Sequence, residues 1–72
     1  MQYLVVVEKG SSSYGAFVPD LPGCIAVRET EKEAVELIQE AIRLHLEDLQ
    51  IEGQPIPPPV SKSTFIEVGL AA

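Results

Sequence analysis

Three kinds of side chain in this sequence could do chemistry: carboxylates near strand ends, one thiol and one imidazole. Carboxylates become catalytic when several converge on one or two divalent ions, which then activate water for hydrolysis. Glu8 and Glu67 are the candidates, because both sit towards the ends of stretches that read as neighbouring strands, and Asp20 lies in a proline-rich corner. Most other acids fall on a solvated helix face, so the carboxylates are read as solvated or capping groups and a metal-dependent nuclease is disfavoured. Cys24 follows a glycine and has no basic neighbour in sequence to stabilise a thiolate, so it reads as a small buried hydrophobe. His45 sits near the centre of an apolar helix stripe. It reads as a buried, hydrogen-bonded core residue, with a pH-sensitive interface contact as the alternative. Asp20, between Val-Pro and Leu-Pro-Gly, is placed to accept amides within its own turn, and a share in partner binding stays open. No catalytic residue, metal or cofactor is expected.

The elements that would position these groups follow from the pattern. Residues 2–8 are β-branched and aromatic, with Tyr3, Val5 and Val7 on one face and Leu4 and Val6 on the other, as in a central strand covered on both sides. Residues 14–19 and 24–29 read as two further strands around a corner made rigid by Pro19 and Pro22, with Gly23 beside them. Thr30 followed by Glu33 is a capping box: the Thr30 oxygen accepts from the Glu33 amide and the Glu33 carboxylate reaches back to the Thr30 amide. From there Ala34, Val35, Ile38, Ala41, Ile42, His45 and Leu49 form one apolar stripe, opposite Glu36, Glu40, Arg43 and Glu47. Gly53 and Pro55 end the helix. Leu37, Leu44 and Ile51 recur every seven residues on a flank, either buried by a wrapping sheet or open to a second subunit. Residues 55–60 read as polyproline II, leading to a last strand over 63–68.

The element order is thus β-β-β-α-β, an α+β fold. A right-handed crossover would return the last strand parallel to the first, giving a four-stranded sheet of order 3-2-1-4 with one helix on one face. The helix-free face, carrying Leu4 and Val6, would remain apolar and open, which marks an interface.

Seventy-two residues make one domain, 1–72, too small for a large core, and such domains use disulfides, metals or self-association for support. A single cysteine excludes an internal disulfide, and one Cys with one His disfavours a structural zinc, leaving self-association. The net charge of −6, with five scattered basic residues, disfavours nucleic acid and suits a basic protein surface, or serves solubility alone. No run is apolar enough to span a bilayer and no leader is evident, so a cytoplasmic location with no membrane role is expected.

The run Tyr14-Gly15-Ala16-Phe17-Val18-Pro19-Asp20-Leu21-Pro22-Gly23-Cys24 is followed in order by Thr30, Glu33 and Ala34, then Glu40-Ala41-Ile42, then Gly53, Ile56, Pro57 and Pro59. This set, covering residues 14–59, resembles the HicB-like antitoxin domain, the Val-Pro-Asp-Leu-Pro-Gly-Cys corner being its most specific part. The resemblance implies a truncated ribonuclease-H-like fold, dimers or tetramers, and a non-enzymatic role in binding and neutralising a small basic ribonuclease toxin of the HicA type. Many such proteins carry an additional DNA-binding domain. Here the domain is expected to stand alone, without direct DNA binding. The other reading is an orphan, self-associating scaffold with no toxin partner.

Overall fold

The computed structural model describes residues 1–71. Its elements are β1 (Val6–Lys9), β2 (Tyr14–Phe17), β3 (Ile25–Arg28) and α1 (Glu31–Ile51). The strands form an antiparallel meander in the order β1-β2-β3, with α1 packed across one face.

Register decides what each face carries. Val7, Ala16 and Ala26 stand side by side across the sheet, and in the next row Val6, Phe17 and Ile25 do the same. Because side chains alternate along a strand, the first row faces α1 and the second faces away. The row beneath the helix is built from small residues. Ala16 and Ala26 meet Ala34 of α1, all three buried, so helix and sheet approach closely. Ile38 and Leu21 are the large side chains that fill the remaining space. Tyr3, Val5, Val7, Leu37, Ala41, Ile42 and Leu46 pack around this centre.

Local chemistry fixes the helix ends. Thr30 is extended, with φ −121° and ψ 154°, and its hydroxyl oxygen accepts from the Glu33 amide at 3.2 Å. The return contact differs from a full capping box: the Thr30 hydroxyl donates to Glu33 Oε1 at 2.8 Å, and the Thr30 amide is not involved. At the other end Gly53 takes φ +68°. Its amide donates to the Gln50 carbonyl at 3.1 Å, and the Gln54 amide donates to Leu49 at 2.8 Å. Those two bonds make a Schellman motif, which needs a left-handed residue that glycine supplies without a steric penalty.

The sheet corrects the expected topology. Residues 63–68 form no strand, so the sheet has three strands rather than four and the order 3-2-1-4 is not adopted. β1 is consequently an edge and not a central strand, it begins at Val6, and Leu4 to Val7 are only half-buried. The cause lies in how the later chain is tied down. The Tyr3 hydroxyl donates to the Pro57 carbonyl, and Ser61 is bound to Asp20. These contacts carry residues 55–61 across the corner end of the sheet. The chain beyond Ser61 is exposed to Ala71.

Candidate protein-binding surface

The corner between β2 and β3 is two turns in succession. The Leu21 amide donates to the Val18 carbonyl at 3.0 Å, enclosing Pro19 and Asp20. The Cys24 amide donates to the Leu21 carbonyl at 3.1 Å, enclosing Pro22 and Gly23. Proline at the first central position and Gly23 at φ +84° at the second are the signature of a type II turn. A third bond, Val18 amide to Cys24 carbonyl at 3.2 Å, closes the loop at its base. This geometry drives the Leu21 side chain into the core, where it is wholly buried, while Pro19, Pro22 and Gly23 stay exposed. Cys24 is also buried, and that burial pushes its thiol pKa up, so it stays protonated.

Asp20 does not serve its own turn. Its Oδ2 accepts from the Ser61 amide at 2.9 Å and its Oδ1 from the Ser61 hydroxyl at 2.7 Å. The Ser61 hydroxyl, then the Ser61 amide and a Val60 backbone contact hold the Asp20 carboxyl below its ordinary value. The folded state therefore favours ionised Asp20. The attachment is complete above the unfolded carboxyl pKa of about 3.9 and is lost as pH falls through the lowered folded value. On acidification, the Ser61 amide resonance should move with Asp20's titration while the helix signal is intact. In Asp20→Ala the acid transition at Ser61 should vanish.

The remaining sequence candidates fall apart spatially. Glu67 lies in the exposed segment and not on a strand beside Glu8. Among the described residues no cluster of three or more His, Cys, Asp or Glu is placed to hold a metal ion. His45 is half-buried, without a side-chain hydrogen bond among the described residues, and so is not the satisfied core histidine that the stripe suggested. Leu37 is drawn to the core, whereas Leu44 and Ile51 on the same flank are exposed. Arg43 bonds both Glu40 and Glu47 on the outer helix face, the latter at 2.7 Å, a solvated cluster of little energetic weight.

What the fold does assemble is an open apolar face. Phe17, Ile25 and Val27 are 36%, 66% and 57% exposed, although the alanines beside them on the same strands are buried. β2 and β3 thus turn their larger apolar side chains away from the helix and their smaller ones towards it. Half-buried Val6 adjoins Phe17, and Leu4 extends the same face by the strand's alternation. A contiguous apolar patch on a small domain is the physical mark of a binding surface. The inward-pointing alanines were visible in sequence as the smaller half of each alternation. Their meaning depended on knowing which half faces the helix.

Similarity to known proteins bears on what such a surface serves. No solved structure matches the chain. A UPF0150 protein of Thermoplasma acidophilum is 41% identical over 58 residues, covering 79% of this chain and 84% of that protein. A UPF0150 protein of Synechocystis is 45% identical over 56 residues, 76% of this chain and 71% of the relative. One from Helicobacter pylori is 45% identical over 47 residues, 65% of each. The family description "HicB_like antitoxin of bacterial toxin-antitoxin system" matches residues 3–68, the whole folded body and most of the exposed segment. With nearly the full length matched and the corner, cap and helix in place, the chain belongs to the HicB-like antitoxin family.

Proposed function

We propose that this protein binds and neutralises a small basic ribonuclease toxin of the HicA type, using the helix-free sheet face as its contact. The observation that carries this reading is the outward placement of Phe17, Ile25 and Val27 in a chain of an antitoxin family. The contact is apolar at its centre, while the net charge of −6 draws a basic partner to it over longer range. Its action is occlusion, not catalysis, and the cytoplasm, where such a toxin would meet RNA, is the proposed site. Among the described residues no helix is long and apolar enough to cross a membrane.

Mixed with the product of the adjacent toxin gene, the protein should co-elute as one complex and abolish RNA cleavage, and the complex should weaken as salt is raised. Absence of a complex at low ionic strength would overturn this function and favour the self-associating scaffold.

A further inference from the structure

Residues 63–70 have the composition of a strand but form none. Phe65, Ile66, Val68 and Leu70 are all strongly exposed, Phe65 completely, and residues 62–71 make no backbone hydrogen bond to the rest of the described chain. Such a segment forfeits its hydrophobic stabilisation in water and leaves its amides open to pairing. β1 has the complementary defect, since among the described residues its far edge pairs with nothing. Beside that edge runs a groove lined by Tyr3, Val5, Val7, Val35, Ile38 and Ile42.

We infer that two copies of this chain exchange residues 63–70, each laying its segment along the other's β1 edge and into the groove beneath α1. Four observations select a second copy as the occupant. Alternation puts Thr64, Ile66, Val68 and Leu70 on one side, matching the apolar groove, and Phe65 on the other, continuing the open row of Val6, Phe17 and Ile25. The exit point is fixed, because Ser61 is tied to Asp20 and residues 61–63 themselves line the groove. From there the segment runs outward, and the molecule reaches 55 Å in its longest dimension, well beyond a helix of 21 residues at about 1.5 Å per residue. The segment carries a single charged side chain, Glu67, so two chains of charge −6 meet where little of that charge is concentrated. Each copy offers one strand and one vacant edge, so a two-fold arrangement satisfies both and closes.

Sedimentation of the full chain alone at micromolar concentration should give a dimer. Ile66→Asp with Val68→Asp should raise its dissociation constant on the order of 100-fold or more, with the helical circular dichroism unchanged because these residues lie outside the body. Ile25→Asp, on the open face two strands from β1, should leave the dimer intact. In a mixture of differently isotope-labelled chains, intermolecular NOEs should join residues 64–70 of one copy to 2–8 of the other. The inference is overturned by a wild-type monomer, by a dimer indifferent to Ile66→Asp with Val68→Asp, or by NOEs linking open face to open face. No toxin is needed, so these outcomes are independent of toxin binding.

Discussion

Leu21→Ala is expected to lower the unfolding free energy by about 2–5 kcal/mol, the range for deleting a large buried aliphatic side chain. The upper part of that range applies here for a structural reason. Leu21 is wholly buried and is delivered to the core by two turns whose φ angles are fixed by Pro19 and Pro22 and whose second turn depends on Gly23. Such a corner cannot slump inwards to fill the cavity. The rest of the core is equally unhelpful, because its members Ala16, Ala26 and Ala34 have no side chain long enough to reach across a void. A domain of this size buries only about 60% of its unfolded surface and sits near the low end of the usual stability range of about 5–15 kcal/mol. One substitution can therefore remove much of the total. Urea titration followed by helical circular dichroism measures the loss, and a change below about 1 kcal/mol would show that the corner collapses onto the void.

Phe17→Asp combined with Ile25→Asp should do the opposite: cost the fold less than Leu21→Ala, through the two like charges paired across β2 and β3, and cut affinity for the proposed toxin on the order of 30-fold or more for each site that anchors the contact. Ile25 is mostly exposed and Phe17 lies on the outer surface of the sheet rather than in the core, so their replacement opens no enclosed cavity. The sign of the added charge makes the experiment discriminating. Two more aspartates raise the long-range attraction between this acidic chain and a basic partner, which on its own would speed association. A fall in affinity therefore has to come from the desolvated centre of the contact. Calorimetric titration against the toxin, paired with a thermal melt of the free variant, separates the two effects. Unchanged affinity would move the contact off this face.

Much of the body was legible in the sequence because its rules are local. Thr30 and Glu33 marked the helix start, Gly53 its end, and alternation in residues 14–19 and 24–29 gave the two hairpin strands. The corner was legible as rigid from Pro19, Pro22 and Gly23. What stayed hidden was nonlocal. The carboxylate of Asp20 fits an Asx-type turn by its neighbours, yet its partner Ser61 lies 41 residues away, a pairing no local pattern encodes. The same is true of Tyr3 and the Pro57 carbonyl. The segment 63–68 has the composition of a strand, and composition reports a preference for pairing without naming the partner. For the helix-free face, the alternation of Leu4 and Val6 was readable from a doubly apolar first strand. Phe17 and Ile25 were not, because the choice of which side α1 covers is made by the small volume of Ala16 and Ala26. Of the two readings open for the flank, Leu37 takes burial, because a helix lying close on alanines buries a wider arc of its surface, while Leu44 and Ile51 stay exposed.

The distribution of the core along the chain has a consequence for synthesis. Every buried core residue lies between Ala16 and Ile38, and each strand pairs with its neighbour in sequence. Short-range pairings close quickly, and chains fold as they emerge, amino end first. The meander and the first half of α1 therefore hold all the buried core side chains without needing residues 55–71. The later residues attach to that core only through Tyr3 and Asp20, so the exposed part beyond Ser61 can meet another molecule without the core being taken apart.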